Sequence, residues 1–229
     1  MGGGWSQDEE PKAPVQTEVA QKTKAREETK LPHYYEAIIK DSDSPVDRSS
    51  VGSLYDQLHG GVFLNGKRKK YWVDKQGKNC FMVFAKDLFI TWADDNRYWH
   101  WRDMDTSDGI NTVAELRSVC WLEVHGRFDT TYLSPDATYE VAFVVMMLDC
   151  SSGWEVNINV RLKTLANGSE SQHKENLREK PRNKWIEISA GQIKGNNVGE
   201  VEISLFEYEG GLWKRGLIIK GIIIQPKMS

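Results

Sequence analysis

After residue 61, apolar and polar residues alternate along much of this chain, the period of strands rather than of helices. "WEVNINVRLK" (154–163) sets Val156, Ile158, Val160 and Leu162 on one face, and "GEVEISLFEYEGG" (199–211) sets Val201, Ile203 and Leu205 against Glu200, Glu202 and Ser204. "NCFMVFAKDLFITW" (79–92) and "SVCWLEVHGRF" (118–128) alternate less regularly, and "TYEVAFVVMML" (138–148) is almost continuously apolar. "KWIEISAG" (184–191) and "LWKRGLIIKGIIIQP" (212–226) add two more strands, each bounded by Gly- or Asn-bearing turns. Seven or more short strands at such intervals predict an all-β fold, a jelly-roll β-sandwich of two antiparallel sheets. One helix precedes it: in "SVGSLYDQLHGG" (50–61) Ser50 or Ser53 can cap, Leu54, Tyr55 and Leu58 share a face, and Gly60-Gly61 ends the run.

The first 33 residues lack this order. They are polar and charged without apolar periodicity, so a flexible tail is expected over 1–33 and a single domain over 34–229. The tail opens with the N-myristoylation pattern, Gly2 to Ser6, but the acidic "QDEE" after it gives no second anchoring signal, and stable membrane insertion is not expected. Residues 1–50 hold 7 Lys plus Arg against 10 Asp plus Glu, which accounts for the formal charge of −3, and the remainder balances at 23 against 23. A neutral body argues against a duplex nucleic-acid binder. "KRKK" (67–70) is the local exception, read as a solvated turn or as a nuclear-import or RNA-contacting patch. With no leader, a cytoplasmic protein is expected, with a nuclear fraction where that patch acts as an import signal.

Catalytic and metal motifs are missing: there is no P-loop, GxGxxG, GxSxG or HExxH, and the five histidines show no ligand spacing. No catalytic residue, cofactor or metal is expected. Cys80, Cys120 and Cys150 lie far apart and read as buried thiols. Most of the candidate chemistry lies in "ITWADDNRYWHW" (90–101), where a turn-prone insert separates Trp92 from Tyr98 and Trp99. Rings flanked by acceptors and donors at a loop rim suit a sugar, a stacked base or a peptide. Asp94, Asp95, Glu200 and Glu207 are the carboxylates that a glycan hydrolase would need as a pair across a cleft. Of Trp92, Trp99 and Trp101, Trp92 closes an apolar strand and is the one expected in the core; Trp72, Trp121, Trp154 and Trp185 are assigned to packing.

"KYWVDKQGKNCFMVFAKDLFITWADDNRYWHW", "VCWLEVHGRFDTTYLSP", "YEVAFVVMML", "GWEVNINVRL", "EKPRNKWIEI" and the closing "GEVEISLFEYEGGLWKRGLIIKGIIIQPK" together resemble phloem protein 2, the Nictaba-related family of plant lectins, from about residue 34 onward. The chain looks like the stand-alone phloem members, with no F-box or TIR module ahead of the lectin region. The resemblance implies a sandwich that binds N-acetylglucosamine oligomers, such as chitin fragments and the chitobiose core of N-glycans. It also implies a homodimer with a role in the phloem or in defence. It places the family's sugar-binding tryptophans at Trp92 and Trp99 and its functional glutamates at Glu200 and Glu207. The chemistry of a pyranose, with an apolar face and a rim of hydroxyls, adds Tyr98 as a third wall and Asp94, Asp95 or Asn96 as assisting polar groups. Phloem members are also linked with RNA and with phloem filament protein, which keeps an interaction role as the alternative.

Overall fold

A computed structural model describes residues 1–3, 30–197 and 199–228. The expected tail and the acylation pattern fall mostly outside these residues. The first element among the described residues is a single turn, α1 (Tyr35–Ile38), followed by α2 (Val51–Gly60), the helix expected from the sequence. The Ser50 hydroxyl accepts from the Ser53 amide at 3.0 Å, satisfying a donor the first turn cannot bond itself. Leu54 and Leu58 bury, and Gly61, at φ 84°, ends the helix in a conformation glycine adopts freely.

Thirteen strands follow among the described residues. They are β1 (Val62–Leu64), β2 (Lys69–Val73), β3 (Asn79–Phe84), β4 (Phe89–Ile90), β5 (Trp99–Thr106), β6 (Gly109–Leu116) and β7 (Leu122–Asp129), then β8 (Thr138–Ser152), β9 (Ile158–Thr164), β10 (Glu170–Glu175), β11 (Trp185–Lys194), β12 (Glu200–Glu207) and β13 (Arg215–Pro226). All named pairings are antiparallel. The smaller sheet runs β10-β9-β12-β7-β4, and the larger holds the other eight strands. After β6 every connection except β9 to β10 crosses between the sheets, the winding of a jelly roll. The core between them takes the predicted inward positions, Ile158, Val160 and Leu162 from β9 and Val201, Ile203 and Leu205 from β12.

The continuous apolar runs have a separate cause. β8 and β13 lie at the middle of the larger sheet, which curls, so their outer faces are also covered and join small clusters around Met82, Phe84 and Val144 and around Val113, Met146 and Ile218. One edge of β13 pairs with β8. The other pairs first with β6 at Ile218 and Ile219 and then with β3 from Gly221 to Ile224, so the sheet forks. At the fork a Cβ on Gly221 would meet the Val83 carbonyl at 2.1 Å, which leaves room for glycine alone.

Beside that glycine lies Lys220, buried in mid-strand, with its Nζ 2.5 Å from Asp108 at the β5–β6 turn; Lys70 of β2 approaches the same carboxylate at 2.8 Å. Asp108 therefore clasps the two arms of the fork. Burial pushes its pKa up, but the hydrogen bonds from Lys220 and Lys70 outweigh burial and hold it below the usual carboxylate range. The clasp thus contributes fully above the unfolded Asp pKa of about 4 and is lost as pH falls through the lower folded value. Asp108→Asn is expected to lower stability by about 2 kcal/mol at neutral pH. Urea unfolding at neutral pH and near pH 3 checks it: the gap between variant and wild type should shrink in acid.

Candidate functional site

The loop between β4 and β5 is built around one unusual backbone conformation. Trp92 sits at φ 62°, in the left-handed region, where a bulky side chain costs of order 1–3 kcal/mol. Its neighbours hold it there. The buried indole N–H of Trp99 donates to the Thr91 carbonyl at 3.1 Å, and that of Trp101 donates to the Ala93 carbonyl at 2.9 Å, so the residues before and after Trp92 each have their carbonyl pinned from β5. Asp95 closes the turn: its carboxylate accepts from the Arg97 amide at 2.9 Å and from the Arg97 guanidinium at 2.6 Å. These bonds hold the Asp95 pKa below the usual range, with the Arg97 side chain the largest cause.

The result is a ring delivered to solvent. Trp92 is 47% exposed, and its ring centroid lies 5.1 Å from that of Tyr98. Asp94 and Asn96 are exposed beside it. The expected division among the tryptophans is reversed: Trp92 is outside, and Trp99, at 1% exposure, is core. The left-handed residue ends the strand's alternation and turns Trp92 outward, while Trp99, beginning β5, points inward. Burial removes Trp99 from contact with a ligand and makes it a support for Trp92.

The two glutamates are not brought together. They stand at opposite ends of β12, seven residues and roughly 23 Å apart, and an odd separation puts them on opposite faces. Glu200 is exposed at the far end, 3.9 Å from Arg127. Glu207 is buried at the near end, ion-paired with the fully buried Lys214, and accepts from the amides of Glu209 and Gly210 at 3.0 and 2.6 Å. Such a separation also excludes the two as a hydrolytic pair. Glu207 fixes the turn after β12 and does not face solvent.

That turn leads to a second aromatic group, which the packing assignment of Trp121 missed. Trp121, Glu123 and His125 alternate with buried Leu122 and Val124 and so share the outer face of the smaller sheet; Trp121 is 41% exposed. Its ring stacks on Tyr208 at 4.4 Å and 16°, and Tyr208 stacks on Phe206 at 5.4 Å, over which lies the Arg161 guanidinium. Glu123 ties the two groups together. One carboxylate oxygen accepts from the Thr91 hydroxyl at 2.8 Å and from the Trp121 indole at 3.0 Å, and the other accepts from His125 at 3.0 Å. The strict alternation of "WLEVH" carried the signal. His125 also bonds Ser204 at 2.9 Å, but Ser204 is fully buried in mid-strand and offers no accessible nucleophile.

Elsewhere, Trp154 is core as expected, with its N–H on the Arg215 carbonyl, and Trp72 and Trp185 pack on the outer clusters. Cys80 is buried and its thiol is pushed up to about 12 by desolvation, whereas Cys150, at the end of β8 where the strand runs out of the sandwich, is exposed, against the expectation of three buried thiols. Three of the four cations in 67–70 are paired: Arg68 and Lys69 with Asp87, and Lys70 with Asp108. Among the described residues no helix is long and apolar enough to cross a membrane.

Exposed rings held rigidly on one side of a β-sandwich, with polar groups among them, define a binding module. The sequence matches the family profile Phloem protein 2 over residues 78–226, and the chain belongs to that family. It is 45% identical over 207 residues, covering 87% of this chain and 97% of the relative, to a protein from Luffa acutangula named "Lectin". It is also 45% identical to Protein PHLOEM PROTEIN 2-LIKE A1 of Arabidopsis thaliana, covering 86% of this chain and 82% of that one. Among solved structures, a CBM61 module in complex with β-1,4-galactotriose is similar at TM-score 0.35 and 13% identity, covering 61% of this chain and 87% of that one.

Proposed function

We propose that the protein is a lectin that binds N-acetylglucosamine oligomers without turning them over, and that the Trp92 loop is where it does so. The observation that carries this reading is Trp92 itself, a bulky residue kept in a strained conformation and half exposed. Family membership and the lectin name of the Luffa relative support the ligand class. A pyranose has an apolar C–H face that packs on an indole, and a rim of hydroxyls that needs donors and acceptors. Trp92 takes the face, Tyr98 backs it, and Asp94 and Asn96 take hydroxyls or the acetamido N–H. Asp95 stays with Arg97. A shallow site of this kind recovers little beyond its association cost, so affinity falls roughly between micromolar and millimolar. The finer expectations, a homodimer in the cytoplasm acting on chitin fragments or N-glycan cores, belong to this proposal.

Titration calorimetry with chitotriose tests it in wild type and in Trp92→Gly. Glycine adopts φ 62° without strain, so the variant is expected to lose at least tenfold in affinity while its melting temperature holds or rises. Wild-type affinity in the variant moves the site away from this loop.

A further inference from the structure

Resting on that reading of the Trp92 loop, we infer that Trp121 is a second stacking surface of the same site, and that the pair selects an extended oligosaccharide over a short one. Two exposed indoles flank one carboxylate. Glu123 bonds Thr91, the residue before Trp92, and the Trp121 ring, so the two platforms are held at a fixed separation. Both oxygens of Glu123 are engaged by protein donors, Thr91 and Trp121 on one and His125 on the other, which makes it a positioning residue.

The orientation of Trp121 follows from its stack. Tyr208, which follows β12, covers one face of the indole, and Phe206 and Arg161 hold Tyr208 from behind. The strand order β12-β7-β4 then leaves the open face of Trp121 on the β4 side, where the Trp92 loop begins. Rings within a stack present only their edges, so Tyr208 supports and Trp121 alone offers a face. One pyranose covers one indole. More than one sugar is therefore needed to engage both, and on this inference the shortest oligomer occupies only the Trp92 side.

The test is titration of chitobiose, chitotriose and chitopentaose into wild type, Trp121→Ala and Trp121→Phe. In the wild type, affinity is expected to rise about tenfold from chitobiose to chitopentaose, the scale of one added aromatic contact. Trp121→Ala should bind chitobiose like the wild type and gain nothing with length, and Trp121→Phe should restore most of the gain. Trp121 is half exposed, so neither variant removes core. If Trp121→Ala keeps the full length dependence, or weakens all three ligands alike, the second platform is wrong while the Trp92 site stands. If wild type binds none of the three, the lectin reading fails and takes this inference with it.

Discussion

Glu207→Gln should lower stability by about 3–5 kcal/mol, the range for a buried charge left without its partner. Lys214 is fully buried, and its ammonium donates to the carbonyls of Cys120 at 2.8 Å and Leu212 at 3.0 Å besides meeting the Glu207 carboxylate. Carbonyls carry no charge, so neutralising Glu207 strands the cation. The glutamine amide also has only one acceptor oxygen: if it stays with the Glu209 and Gly210 amides, its NH2 faces the Lys214 ammonium, and if it turns to Lys214, the NH2 faces those two amides. The double variant Glu207→Gln with Lys214→Met removes the stranded charge and should recover most of the loss, because removing a whole buried pair is far cheaper than halving it. Urea unfolding of the two singles and the double decides this. Burial raises the Glu207 pKa, yet Lys214 and the two amides outweigh it and hold it below the usual range. Its contribution is therefore complete above the unfolded Glu pKa of about 4.3 and disappears as pH falls through the lower folded value.

Trp99→Ala should cost a similar 3–5 kcal/mol, since it empties one of the largest fully buried side chains of the core. It should also abolish sugar binding without Trp99 ever touching sugar, because the Thr91 carbonyl loses the donor that pins the Trp92 conformation. Trp99→Phe separates these effects. Phenylalanine keeps most of the packing and lacks the N–H, so a stability loss of about 1–3 kcal/mol is expected together with weakened binding. Trp92→Gly provides the contrast, losing binding and keeping stability. Equal loss of stability in Trp92→Gly and Trp99→Ala would contradict the division of roles between them.

These two residues also mark how far the sequence could be read. The helix with its Ser50 cap, the strand faces at 158–162 and 201–205, and the sandwich itself follow from period and turn residues, which are local signals. So does the aromatic loop as a place of interest. The split between Trp92 and Trp99 is not local: the two tryptophans have similar neighbours, and only one left-handed residue, stabilised from another strand, decides which ring turns outward. Glu207 reads as an exposed strand carboxylate because its partner Lys214 comes from beyond the following turn. Trp121 was legible in part, since its alternation with Leu122 and Val124 already puts it on the face of Glu123 and His125.

The forked sheet has a consequence for how the protein is made. β13 is the strand that pairs with β8, β3 and β6, and it leaves the ribosome after all the others described. Until it emerges, β3, β6 and β8 present open, apolar strand edges that other chains can pair with. The larger sheet can close only after translation has passed residue 226, through pairings as distant as Ile224 with Phe81. Premature termination before β13 would leave a nascent chain prone to aggregation, with the aromatic loop already synthesised but no finished scaffold behind it.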